Sequence, residues 1–138
     1  MKKATYTLFI LFLTTTMFAQ SLVGKWKIVS YVSEFNGQKF DSHKALLQQR
    51  PCAAKIVYEI NSNGTYRLNA ANSGCDERYI KIQEKLHSEE VWTVKGNKIT
   101  IGHKKAISVG HTYTFSIKGD IMFWTGTDGE GVITYKKL

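Results

Sequence analysis

"KIVYEINSNGTYRLNA", residues 55–70, holds two alternating runs of apolar and polar residues on either side of the turn cluster Ser62-Asn63-Gly64. Alternation with a period of two marks a half-buried strand, and a glycine at the turn reaches the positive φ that tight hairpins use. Loop length then decides the register. A two-residue loop sets Ile60 opposite Arg67 and Tyr58 opposite Asn69, so each face mixes apolar with polar groups. A three-residue loop with Gly64 as the bulge residue pairs Ile60 with Tyr66, Tyr58 with Leu68 and Ile56 with Ala70. That register gathers one apolar face, and burial of one face is what specifies register.

The same test works further along. In "VWTVKGNKITI", residues 91–101, a Gly96-Asn97 loop pairs Val94 with Ile99 and Trp92 with Ile101, leaving Thr93 with Thr100 and Lys95 with Lys98 on the other face. In "YTFSIKGDIMFW", residues 113–124, a Gly119-Asp120 loop aligns Ile117 with Met122 and Phe115 with Trp124. Adding the outer segments predicts strands over 23–34, 54–61, 65–71, 90–95, 98–103, 111–118, 121–126 and 131–137. Their connections alternate between tight turns and longer loops. An up-and-down meander therefore collects the tight turns at one end and the longer loops at the other. An even number of antiparallel strands also lets the first pair with the last, which removes the edges. The expected fold is an all-β, eight-stranded antiparallel up-and-down barrel with a shut end, an open mouth and room for packed side chains or one small ligand.

The chain opens with Lys2 and Lys3, an apolar run from Leu8 to Leu13 and a small Ala19 before Gln20, the pattern of an export signal over 1–19. The apolar run is shorter than the roughly 20 residues of a membrane helix, and no later segment approaches that length. About 119 of the 138 residues then form one domain, 20–138. The two leader lysines take the formal charge from +8 to +6 when they leave. The remaining lysines are scattered through turns and alternate strand positions, which argues for a solvated face. Nucleic acid is not the expected partner of an exported chain, and an anionic envelope component is the alternative use of this charge. Cys52 and Cys75 are the only cysteines. In an oxidising compartment they most simply form one disulfide, and the hairpin register brings them nearly opposite each other at its open ends.

"LVGKWKIVSY", residues 22–31, places Trp26 at the start of the first strand, at the shut end, where an indole can plug the floor while Gly24 lets the chain bend beneath it. This stretch resembles the Gly-x-Trp signature of the lipocalins and the wider calycin group, and in particular the short lipocalin-like domains of exported bacterial proteins. The cysteine–hairpin–cysteine arrangement, the two later hairpins and the closing "ITYKK" follow the order of such domains over nearly all of the chain after the leader. One feature departs from them: lipocalins commonly stack an arginine from the last strand on the Trp, and this chain offers Lys136 and Lys137 there. The resemblance also implies that the first long loop acts as a lid. Within that loop "DSHKALLQQR", residues 41–50, has Asp41 or Ser42 as N-cap and Pro51 as a stop, and reads as a short helix over the mouth. Residues 78–86 alternate weakly and read as an extra strand or an extension of the rim.

Strand alternation puts Val32, Ile56, Tyr58, Leu68, Trp92, Ile101, Tyr113, Phe115 and Trp124 on inner faces in the mouth half, as the candidate ligand-binding set. Trp26, Ile28, Ile60, Tyr66, Val94, Ile99, Ile117 and Met122 are expected to fill the floor. Catalysis has little support. The four histidines lack a metal-ligand spacing, although His111 falls on the face of Tyr113 and Phe115, and no cofactor is implied. The reading is therefore a carrier of a small hydrophobic or amphipathic molecule, not an enzyme. Its rival is a ligand-free scaffold whose loops 35–53 and 72–89 grip a macromolecule.

Overall fold

The hairpins form as their residues require. The computed structural model describes residues 22–127 and 130–138, so the expected export signal, 1–19, lies outside the described residues. Strand β1 spans Gly24–Phe35, β2 Gln38–Asp41, β3 Val57–Ile60, β4 Tyr66–Asn69, β5 Glu90–Lys95, β6 Lys98–His103, β7 His111–Lys118, β8 Ile121–Gly126 and β9 Val132–Lys137. Ile60 pairs with Tyr66 and Tyr58 with Leu68, around a turn in which Gly64 has φ +86° and Asn63 Oδ1 accepts from the Thr65 amide at 3.1 Å. The ladder stops at Val57 and Asn69, so Ile56 and Ala70 lie just beyond it, both buried. The β5–β6 and β7–β8 registers match the expected pairs residue for residue.

The strand order is β4-β3-β1-β9-β8-β7-β6-β5, with first and last barrel strands paired through β1 and β9. The remaining seam, between β4 and β5, is almost closed. It is bridged at Thr65 and Val91, by the Trp92 amide donating to Gly64 O at 3.0 Å, and by the Arg67 guanidinium donating to Glu90 O at 2.6 Å. Trp92 adds its indole N–H to Asn61 O at 2.9 Å.

Trp26 is fully buried at the shut end. Its Nε1–H donates to Leu22 O at 2.9 Å, and Lys137 Nζ lies 5.2 Å from the ring centroid, so a lysine supplies the cation–π contact on this indole. Gly24, at φ +149°, passes so close that an added Cβ would stand 2.9 Å from Lys137 Cε. Ile60, Ile99 and Met122 complete a floor from which solvent is excluded.

Three features differ from the sequence reading. First, β1 runs beyond the barrel and folds back on itself: Asn36 and Gly37, at φ 50° and 75°, turn the chain into β2. Second, residues 78–86 are not an extra strand; they extend the rim as most of a helix, whose Gln83 reaches the cavity. Helix α1 is Ser42–Gln49, capped by Asp41 as expected, and α2 is Glu77–Leu86. In α2 the Asp76 carboxylate accepts from the Tyr79 amide at 2.9 Å, and Glu77 pairs with Lys81 one turn on at 2.7 Å. A capped first turn outweighs a weak period-two pattern. Third, a β-bulge at Val29 shifts the β1–β9 register between Ile28 and Ser30. Past it, Tyr31 opposes the buried Ile133 and takes the inner face, which moves Val32 opposite Val132 onto the other face.

The Cys52–Cys75 disulfide is formed, with 5.2 Å between the Cα atoms. Beside it Arg50 holds Asp76 at 2.8 Å and lays its guanidinium 3.8 Å from the Tyr79 centroid, so the end of α1 and the start of α2 are tied together. Under this clamp Ala53, Ile56, Leu68 and Ala70 form a second small core against Tyr79 and Ile80.

Candidate functional site

Above the floor the barrel encloses a cavity of about 360 Å³, open at the end where α1 and α2 lie. Its wall is largely aromatic. Tyr31 comes from β1, Tyr58 from β3, Tyr66 from β4, Tyr113 from β7, Trp124 from β8 and Tyr135 from β9. Their rings touch in sequence: Tyr113 stacks on Trp124 at 5.4 Å between centroids, Trp124 meets Tyr135 at 4.7 Å, and Tyr135 meets Tyr58 edge-on at 5.9 Å. Ile28, Leu68, Ile101 and Ile133 fill the gaps between them. At the mouth, α1 contributes Ser42, His43 and Leu46 and α2 contributes Gln83, followed by His87 and Glu90, whose side chains are hydrogen-bonded to each other.

Burial sets the chemistry of this wall. Desolvation pushes the Tyr58 and Tyr113 hydroxyls up to about 12, with neighbouring phenols adding to the shift. Burial also raises Tyr66 and Tyr135, and the two phenols act on each other. All four are neutral donor–acceptors at physiological pH. Burial lowers the pKa of His43 against the opposing pull of Asp41, so its imidazole is neutral there as well. Trp124 Nε1 is buried with no hydrogen-bond partner among the described residues. A buried orphan donor of this kind costs about 1–3 kcal/mol.

Of the candidate ligand-binding residues, Tyr58, Leu68, Ile101, Tyr113 and Trp124 converge on the cavity. The other four do not line it. Val32 is displaced by the Val29 bulge, Ile56 belongs to the second core, Phe115 is buried in the main core, and Trp92 closes the β4–β5 seam. Two residues expected in the floor, Ile28 and Tyr66, line the cavity. His111 lines the cavity at its rim, largely exposed and 3.9 Å from Glu130. Tyr135 and Ile133 were within reach of the sequence, since "ITYKK" alternates and must pair with β1; Tyr31 was hidden because a bulge leaves no mark in the alternation. Among the described residues no group of three or more His, Cys, Asp or Glu side chains could hold a metal ion, and no helix is long and apolar enough to cross a membrane.

A meander barrel corked by a first-strand indole and hollow at its other end defines the lipocalin class of small-ligand-binding folds. The chain belongs to the family described as the lipocalin-like domain, whose model matches residues 22–124, from the turn beneath Trp26 to Trp124 in the cavity wall. No curated protein and no solved structure matches the chain.

Proposed function

We propose that this chain binds or carries a small hydrophobic or amphipathic molecule in the barrel mouth, in the compartment reached through the export signal 1–19. The observation that carries the reading is the aromatic-walled cavity of about 360 Å³, at the small end of the usual range for ligand pockets. At protein-like packing density such a space holds on the order of 15 non-hydrogen atoms, a compact ring system rather than a long acyl chain. The tyrosine hydroxyls supply orienting hydrogen bonds on an otherwise apolar wall, and the Cys52–Cys75 bridge is compatible with an oxidising environment.

Titration with the uncharged fluorescent probe N-phenyl-1-naphthylamine tests the reading. Saturable one-to-one binding is expected. Trp124→Leu and Tyr113→Leu each weaken it about tenfold, a loss of the size that one aromatic contact supplies. Trp92→Phe leaves it nearly unchanged, because Trp92 serves the seam. Equal binding in the wild type and both cavity variants overturns the assignment.

A further inference from the structure

Lysines that are scattered along the sequence are gathered by the meander at one end of the barrel. Lys95 and Lys98 flank the β5–β6 turn, Lys118 precedes the β7–β8 turn, Lys25 and Lys27 lie in the first turn of β1, and Lys136 lies near the end of β9, all at the shut end. Lys27 is half-buried and the others are exposed. The register sets Lys27 directly opposite Lys136 and Lys95 directly opposite Lys98. Like charges so placed repel and weaken the strand pair. Among the described residues no ion pair takes up any of these six side chains. The acidic side chains at this end are Asp120 and Glu59, and the Glu59 carboxylate, opposite Lys25, accepts from Asn69 at 3.1 Å. The guanidinium of Arg67 donates to the backbone oxygens of Tyr66 and Glu90. In the mouth half, by contrast, acids and bases meet: Arg50 with Asp76, Lys81 with Glu77, Lys104 with Glu89, and the imidazoles of His87, His103 and His111 with Glu90, Glu89 and Glu130. The excess positive charge of the chain is therefore concentrated at the shut end.

Two features of this set point to its partner. A lysine carries a hydrated point charge on a flexible stem, without the planar fork that reads one carboxylate or phosphate by its geometry, so six lysines suit a field of many anions rather than one bound group. They also come from β1, β5, β6, β7 and β9, which places them around the end of the barrel instead of along a groove. A linear polyanion would follow a line of charges; a flat surface laid across the end meets the ring at once. We propose that the shut end docks on an anionic lipid surface, with the lysine ammonium groups among the headgroup phosphates and the mouth turned away from the bilayer. Each lysine near such a surface strengthens adsorption about fivefold, and the attraction fades within a Debye length of about 8–10 Å. The proposal is independent of what the cavity holds.

Vesicle sedimentation tests it on the full-length chain, whose leader is common to every comparison. Phosphatidylcholine vesicles containing about 30% phosphatidylglycerol should bind at least about tenfold more tightly than phosphatidylcholine alone, and the preference should fade as salt rises from about 0.05 to about 0.5 M. The triple variant Lys27→Gln, Lys118→Gln, Lys136→Gln should lower affinity for the anionic vesicles on the order of 100-fold, with Tm unchanged or raised. Lys27→Arg, Lys118→Arg, Lys136→Arg, which keeps the charge, should stay within about twofold of the wild type, and Lys39→Gln, Lys44→Gln, Lys85→Gln at the mouth within about threefold. Wild-type affinity in the shut-end glutamine variant, an equal loss in the mouth variant, or no preference for anionic lipid overturns the proposal. So does capture of the chain by soluble dextran sulfate while the anionic vesicles stay bare.

Discussion

Trp26 shows what a single side chain does here. A large rigid indole at the first turn of the barrel excludes solvent from the shut end, and its polar atom is satisfied by Leu22 O, so burial carries no orphan cost. Trp26→Ala should destabilise the fold by about 3–5 kcal/mol, read by chemical denaturation; a loss under about 1 kcal/mol would mean that the plug is dispensable. Gly24→Ala forces a side chain into a glycine conformation and should cost about 1–3 kcal/mol in the same assay. Both residues were legible in the sequence because the hairpins that follow Gly-x-Trp come in a barrel's order; the motif alone fits any buried first-strand Trp. Val29 was not. Its bulge moves Tyr31 into the cavity and Val32 out of it, and the choice is made by the β9 partner, which a local pattern does not contain.

At the scale of elements, the three hairpins could be read because turn chemistry and face matching agree on one register for each. The Asn36-Gly37 pair that turns β1 into β2 was equally visible as a hairpin signal, but four residues of strand inside a long connection offer little alternation to support it. Helix α2 was obscured by Ile80 and Ile82, which imitate a strand; its Asp76 cap was the signal that counted. The clamp around Cys52–Cys75 closes a loop with a sequence separation of 23, and loops of that size yield about 3 kcal/mol when bridged. The double variant Cys52→Ser, Cys75→Ser should lower stability by about that amount and loosen α1 and α2 before the barrel, seen as faster hydrogen exchange in 42–55 and 76–87 than in β7 and β8. Uniform exchange across all of these segments would contradict a local clamp. Trp92→Phe removes the indole bond to Asn61 O and should cost about 1 kcal/mol, with the added exchange confined to β4 and β5.

For the whole molecule, the buried phenols link the fold to alkaline pH. Their folded-state pKa values lie above the ordinary value near 10, so their contribution is complete below about pH 10 and is lost as pH rises through about 12. Tm should fall across that window in step with phenolate absorbance at 295 nm. Tyrosines that ionise near pH 10 without loss of Tm would show the wall to be solvated. The barrel as a whole was legible because eight alternating segments with tight turns at one end admit few other arrangements; the division of its interior between packed floor and open cavity was not, since it depends on how far each inward ring reaches. That division is the central claim, and native mass spectrometry tests it most directly. With N-phenyl-1-naphthylamine present, the wild type should carry one bound molecule, and Ile101→Trp, which fills the cavity from its wall, should carry none while remaining folded. Equal occupancy in the two proteins, or none in either, would contradict a hollow ligand-binding interior.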